Sequence, residues 1–217
     1  MTWDRFTRRL FRMVPKDPKR SDFHAPYNRL LFSLFPVDAL YMIAPLWKPD
    51  AYPALYFRFE ITHAFKPILL LELKEPGDLQ YSSKRQEGIR QVQVRLRNLA
   101  RQYYLSLPHL FSHNPNYLGS ILAECPLPEL HAVCIFGTKV CFCKLDRNQD
   151  MQPSFTDARP EGTTDLAPLE YWDCDIPEEE GEKRFKAMVE EIKQLSQQPV
   201  LSSACGPLWV LGLSCGI

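Results

Sequence analysis

Glu72 and Lys74 stand two positions apart at the end of the aliphatic run Ile-Leu-Leu-Leu, residues 68–71. Such a run predicts a strand that is buried on both faces. Alternate residues of a strand point to one face, so the carboxylate and the amine would project together. Two charges at one point of a buried strand are unfavourable unless they meet a metal ion, a phosphate or each other. Together with the upstream carboxylate of Asp50, they are suited to holding Mg²⁺ or Mn²⁺ and to activating water.

The neighbouring segments predict the elements that would position this pair. Residues 54–62 alternate in the manner of a strand, and the short link at residues 63–67 implies an antiparallel hairpin with the aliphatic strand. Ser83 would cap a long helix over residues 84–104. The apolar stripe of this helix consists of Ile89, Val92, Leu96, Leu99 and Tyr103.

The predicted helix carries charges of almost one sign, because six basic residues accompany a single acid, Glu87. Charged helix faces are usually solvated. A single-signed face that follows directly on the candidate site nevertheless favours contact with phosphate groups. The predicted nucleic-acid contacts are Lys84, Arg85, Arg90 and Arg97.

The second half of the chain predicts a further hairpin and a closing helix. Residues 130–136 and 139–145 flank Gly137-Thr138, and a two-residue loop with glycine first suits a type II′ turn. Asp175 would cap a helix over residues 177–197, whose first turn holds three glutamates at the positive end of the helix dipole.

Composition and charge set limits on the whole chain. Its 217 residues are enough for one substantial core, and 45% hydrophobic with 24% charged residues is ordinary for a globular domain. Residues 1–104 hold 18 Lys and Arg against 10 Asp and Glu, whereas residues 105–217 hold 8 against 16. The basic half contains the candidate site, which favours a polyanionic partner; the alternative is that the two halves face each other across the fold.

The same patterns divide the chain into three segments. Residues 1–21 read as a basic arm, residues 22–198 as the folded domain and residues 199–217 as an apolar tail. The tail is at the lower limit of a membrane span and contains Pro207, so we expect no membrane association. The start of the chain lacks the apolar core of a secretory leader, and the cysteines number seven. We therefore expect an intracellular protein, nuclear or cytoplasmic, with reduced thiols.

Taken in order, these motifs resemble those of the PD-(D/E)xK nuclease superfamily. The parts are Pro49-Asp50, then Glu72-Leu73-Lys74 at the end of an aliphatic strand, then the long basic helix. Over roughly residues 22–197 the chain is similar to a group of fungal proteins assigned to that superfamily. The supporting segments are 83–85 with Gln91, 135–139 and 171–173. The resemblance implies an α/β fold with an α+β mixed sheet, a restriction-endonuclease-like core in which four or more strands have helices on both sides.

The resemblance also implies a role for each matching residue. Asp50 and Glu72 would bind one or two Mg²⁺ or Mn²⁺ ions, with the backbone carbonyl of Leu73 as a further ligand. Lys74 would orient or deprotonate the attacking water, or stabilise the charged phosphorane. Gln91 would occupy the polar helix position that faces the site.

Several alternatives stay open at this point. Glu60, in the preceding strand, is the alternative first acid. The implied function is metal-dependent hydrolysis of phosphodiester bonds, in DNA rather than RNA; the alternative is an inactive module of the same fold that binds nucleic acid or protein. Glu72 and Lys74 would in the simplest case form an ordinary salt bridge. The five histidines are scattered without a His-x-x-x-His spacing, and none stands out as a base or a ligand.

Overall fold

Seven strands and four α-helices make up the described part of the chain. The structure is a computed structural model that describes residues 3–48, 56–64, 66–105, 129–146, 148, 150–153 and 165–197. The helices are α1 (Arg5–Arg12), α2 (His24–Leu34), α3 (Ser82–Leu105) and α4 (Glu179–Gln197). The strands are β1 (Tyr41–Lys48), β2 (Tyr56–His63), β3 (Lys66–Lys74), β4 (Glu129–Phe136), β5 (Lys139–Asp146), β6 (Met151–Gln152) and β7 (Cys174–Asp175).

All seven strands belong to one mixed sheet in the order β1-β2-β3-β4-β5-β6, with β7 also paired to β5. The first three strands form an antiparallel meander, β4 runs parallel to β3, and β5 returns antiparallel to β4. Parallel neighbours need a crossover connection, and α3 is the described part of that crossover. The predicted fold, a central mixed sheet of four or more strands, is confirmed.

Helices cover both faces of this sheet. On one face α3 lies close to β4, since a Cβ added at Gly88 would be 3.1 Å from the Cys134 sulfur. On the other face Phe185 of α4 packs against Phe142 of β5, with ring centroids 6.2 Å apart. The core therefore has two layers, and β3 is buried between them because it runs through the middle of the sheet.

Strand β1 was not predicted from the sequence. Its residues do not alternate cleanly, and Pro45 lies in its middle. Proline cannot donate a hydrogen bond to a neighbouring strand, so it argues against a central strand. In the structure β1 is an edge strand paired to β2 alone, where the missing donor is tolerated.

The β4–β5 hairpin matches its prediction within one residue at each strand. Gly137 has a φ of +66°, whereas Thr138 is not among the residues with positive φ. A type I′ turn would need positive φ at both positions, so the loop agrees with the predicted type II′ turn. The Gly137 carbonyl also accepts a hydrogen bond from the buried Tyr27 hydroxyl at 2.8 Å.

The described part of the N-terminal segment is not a solvated arm. Trp3 and Phe11 are buried in the main core. The Trp3 backbone N–H donates to the Glu182 carboxylate at 2.6 Å, and its indole N–H donates to the Ile176 carbonyl at 2.8 Å. Phe11 of α1 packs against Tyr27 of α2, with ring centroids 5.3 Å apart, whereas Trp3, ahead of α1, makes the contacts to α4.

The closing helix begins later than predicted. Asp175 does not cap it; this residue lies in β7, and its carboxylate pairs with Lys139 at 3.2 Å. Helix α4 starts at Glu179 and buries Phe185, Val189 and Ile192 as its core stripe.

No helix in the described ranges is long and apolar enough to cross a membrane. The apolar tail, residues 199–217, lies outside those ranges.

The first turn of α4 yields a stability prediction at Gly181. A Cβ at this position would overlap the backbone carbonyl of Asp175 and lie 3.0 Å from the Ile176 nitrogen. Backbone atoms cannot rotate away, so we expect Gly181→Ala to lower the free energy of unfolding by about 1–3 kcal/mol, despite the better helix propensity of alanine.

Gly77→Ala is the matched control, because nothing lies within 4 Å of a Cβ built there. Urea denaturation of both variants measures the difference, and the control should stay within about 0.5 kcal/mol of the wild type. Equal stability of the two variants would contradict the close packing of α4 on Asp175.

Candidate active site

Glu72 and Lys74 meet at the carboxyl end of β3. The Glu72 side chain is 1% exposed and that of Lys74 is 13% exposed. The Lys74 amine donates to Glu72 Oε1 at 3.0 Å. Their neighbours along the strand are Leu70, Leu71 and Leu73, all fully buried. A charged pair with this much burial loses hydration on both groups, so its net contribution to stability is small and its presence in the core needs another explanation.

Helix α3 contributes the third member of the site. The Lys74 amine also donates to Gln91 Oε1, the residue that the superfamily resemblance assigns to the polar helix position. Gly88, one turn earlier, lets α3 approach β4 closely, and this approach brings Gln91 over the end of β3. The structure therefore brings Glu72, Lys74 and Gln91 together around one amine.

Glu87 is a member of the site that the sequence did not identify. The Gln91 amide N–H donates to Glu87 Oε1. Arg90 donates two further hydrogen bonds to Glu87, at 2.8 and 2.9 Å. Chiefly through this bond to Arg90, the pKa of Glu87 is lowered, so its carboxylate is ionised at neutral pH. The i, i+4 spacing of Glu87 and Gln91 was the available signal, since residues four apart are neighbours on a helix.

Glu60 lies on the same face of the sheet as Glu72. In the β2–β3 register Arg58 is opposite Glu72 and Glu60 is opposite Leu70. Glu60 and Glu72 are thus diagonal neighbours, a relation that spaces residues by roughly 7–8 Å. The Glu60 carboxylate is engaged by Arg58, whose Nε lies 3.0 Å from Glu60 Oε1. It can join the site only if this ion pair rearranges.

Asp50, the first acid in the predicted set, lies outside the described residues. The strands that flank its segment are described: β1 ends at Lys48 and β2 begins at Tyr56, directly opposite each other. Phe57, next in β2, is opposite Leu73. The end of β1 and the start of β2 therefore lie at the end of the sheet where Lys74 lies.

Three kinds of oxygen atom in this part of the sheet are of the type that a metal ion would need. They are the Glu72 carboxylate, the Leu73 carbonyl next to it in β3, and the Glu60 carboxylate on the adjacent strand. Hard oxygen ligands are what Mg²⁺ and Mn²⁺ prefer. Within the described part of the chain, however, these acids do not form a group of three ligand atoms within 4.8 Å; Glu129, His131 and Glu191 do.

Arg85 does not contact phosphate as predicted. Its side chain is buried, and the guanidinium donates to the carbonyls of Ala167 at 2.7 Å and Leu79 at 2.9 Å and to the carboxylate of Asp165. Leu79 precedes α3 in the sequence, whereas Asp165 and Ala167 follow it. The Arg85 hydrogen bonds therefore connect the start of the helix to residues 165–167. The prediction was wrong because no local pattern shows that acceptors 80 positions away fold onto this arginine.

The other predicted phosphate contacts divide by helix face. With 100° per residue, Lys84 lies close to the direction of Gln91, whereas Arg90 and Arg97 lie roughly 100–120° away from it. Lys84 is 56% exposed, and its nearest acid is Asp78 at 3.9 Å. Arg95, one turn after Gln91, shares the face of Lys84 and is the basic residue that the sequence assignment missed.

Cys134 lies beside the site, but its thiol is not reactive. Cys134 is opposite Glu72 in the β3–β4 register and fully buried. Burial raises the pKa of the Cys134 thiol far above its ordinary value, so the thiol stays protonated at neutral pH.

Comparison with known protein families, proteins and structures adds no information about this site. Its resemblance to the nuclease superfamily rests on the motif residues and stays a prediction. No protein-family model, no curated protein and no solved structure matches this chain.

Proposed function

We propose that this protein is a metal-dependent nuclease that hydrolyses phosphodiester bonds of DNA. The observation that supports this function is the convergence of Glu72 and Gln91 on the Lys74 amine at the end of a buried strand. Buried charges that meet in this way are characteristic of functional sites, because a purely structural strand would use apolar residues there.

Each side chain has a task in this proposal. Glu72, the Leu73 carbonyl and either Asp50 or Glu60 would hold Mg²⁺ or Mn²⁺, which would supply positive charge to the phosphate oxygens. Lys74 orients the attacking water and stabilises negative charge on the phosphate. Gln91 and Glu72 fix the position of the Lys74 amine, and Glu87 in turn fixes the Gln91 amide.

The proposed DNA contacts lie on the face of α3 that also carries Gln91. Lys84 and Arg95 would contact phosphates next to the site, with Arg90 and Arg97 further around the helix. Their contribution is electrostatic, so it should weaken as the salt concentration rises. An intracellular location, nuclear or cytoplasmic, is part of this proposal because it would place the protein with its substrate.

The test is the nicking of a supercoiled plasmid by the purified full chain. We expect nicked and linear products in Mg²⁺ or Mn²⁺ and none in the presence of a chelator that removes the ion. The ion would stabilise the negative charge on the phosphate during hydrolysis. Activity should therefore return when excess metal is added back. Absence of cleavage with both metals would contradict the proposal.

A second candidate, an inactive module that binds nucleic acid or protein, is favoured by two observations. The Lys74 amine is held by two acceptors, and Glu60 is engaged by Arg58. Such a module would retain DNA on a column at low salt and release it at high salt without cleaving it. Retention without cleavage in either metal would support the module over the nuclease.

A further inference from the structure

A second group of side chains converges on the opposite face of the sheet. Glu129 and His131 are alternate residues of β4 and point to the same face, and Glu191 approaches them from α4. One ligand atom from each of the three lies within 4.8 Å of the others. His131 Nε2 and Glu191 Oε2 lie 3.9 Å apart.

His131 is the residue that points to a ligand. It is 4% exposed, and neither ring nitrogen has a hydrogen-bond partner. Its distance to Glu191 is too long for a hydrogen bond. A buried polar group without a partner costs about 1–3 kcal/mol, so an imidazole held in this state needs an explanation.

We propose that Glu129, His131 and Glu191 bind a divalent transition-metal ion, with Zn²⁺ the best match. One imidazole nitrogen with two carboxylates suits zinc, whereas Mg²⁺ and Ca²⁺ select oxygen ligands alone. Two ligands at about 2.1 Å from a tetrahedral ion are separated by about 3.4 Å. The present 3.9 Å between His131 Nε2 and Glu191 Oε2 needs only a small inward movement.

Lys144 shares one of the three ligands. Its amine donates to Glu129 Oε2 at 2.8 Å. A carboxylate has two oxygens, so Glu129 can bind an ion through the other one while Lys144 holds its orientation. Arg184 also lines this region, but its guanidinium pairs with the Asp173 carboxylate at 2.9 Å. With that pair neutral, the two carboxylates exceed the single charge of Lys144, and the local charge favours a cation.

Three protein ligands leave a fourth position for water or a small molecule. His131, Lys144 and Glu191 line a cavity of about 530 Å³ between β5 and α4, together with Gln152 and Pro153. The cavity gives an ion a route from solvent to the buried imidazole. It also has room for an exchangeable ligand, such as the water molecule of a catalytic zinc site.

This site is separate from the one at Lys74. In the β3–β4 register His131 is opposite Leu69 and Lys74 is opposite Phe136, five positions further along. Five residues span roughly 16 Å of strand. Glu72 and His131 also point to opposite faces, so neither site shares a ligand with the other.

Titration calorimetry of the full chain with ZnCl₂ in a thiol-free reductant tests this proposal. Glu191→Gln is the informative variant, because Glu191 is 53% exposed and its replacement should leave the fold intact. Glu190→Gln is the matched control, since this neighbour pairs with Lys193 on the surface of the same helix. Glu72→Gln separates the two metal sites.

We expect one Zn²⁺ per chain in the wild type, in Glu190→Gln and in Glu72→Gln. Affinity should fall at least tenfold in Glu191→Gln, and Zn²⁺ should raise the melting temperature of the control more than that of this variant. Wild-type affinity in Glu191→Gln, loss of binding in Glu72→Gln, or no saturable binding at all would each overturn the proposal.

Discussion

Replacing Lys74 with methionine is expected to slow metal-dependent cleavage of DNA by about 10²–10⁴-fold, the usual contribution of a positioned acid or base. The methionine side chain is similar in length to that of lysine, but it carries no charge and no hydrogen-bond donor. The variant would therefore lose the group that orients the attacking water while keeping the side-chain volume at the end of β3. The rate of plasmid nicking in Mg²⁺, measured on protein shown to be folded by circular dichroism, gives the result.

Lys193→Met is the control for this variant. Lys193 also pairs with a glutamate, Glu190, at 2.9 Å, but that glutamate is 62% exposed, unlike Glu72. We expect its cleavage rate to equal that of the wild type. Wild-type activity in folded Lys74→Met would remove Lys74 from the mechanism.

The same substitution should have the largest effect on stability in the molecule. Lys74→Met leaves the Glu72 carboxylate, 1% exposed, without its counter-charge. Removal of one partner of a buried ion pair typically costs about 3–5 kcal/mol, because the remaining charge stays buried and uncompensated. Urea denaturation should therefore show a large drop in the free energy of unfolding of this variant.

A double-mutant cycle measures the interaction energy between Glu72 and Lys74 apart from their contacts with other residues. In Glu72→Gln/Lys74→Met both charges of the pair are removed, so no buried carboxylate is left without its partner and the double variant should be more stable than Lys74→Met alone. The Glu190–Lys193 pair gives the comparison. Lys193→Met leaves behind a carboxylate that is 62% exposed to water, so it should change stability by less than about 1 kcal/mol. Additive effects of the two substitutions at Glu72 and Lys74 would contradict their direct coupling.

The parts of the fold that were predictable are those with strong local signals. The β4–β5 hairpin follows from two apolar runs around Gly137-Thr138, and α3 follows from its apolar stripe. Strand β1 was missed because Pro45 is acceptable only at a sheet edge, and edge position depends on the whole topology. Residues 3–12 were misread because burial of Trp3 depends on Glu182, 179 positions away.

In the candidate site too, the residues with a local sequence signal were predictable, and those whose role depends on distant residues were not. Glu72 and Lys74 were predictable from the period of a strand, and Gln91 from the superfamily resemblance. The pairing of Glu60 with Arg58 and the burial of Arg85 depend on side-chain choices that spacing does not determine. His131 was passed over because its neighbour Glu191 is 60 positions away, on a helix that only the folded chain brings to β4.

The most direct test of the central claim is the rate of Mg²⁺-dependent plasmid nicking by Glu72→Gln beside the wild type and Glu190→Gln. Glutamine keeps the size of Glu72 and can still accept the hydrogen bond from Lys74, so the fold should persist while the charge needed to hold the ion is lost. We expect the wild type and Glu190→Gln to nick DNA at equal rates and Glu72→Gln to be at least 100-fold slower. Equal rates for all three proteins, or no nicking by the wild type, would contradict it.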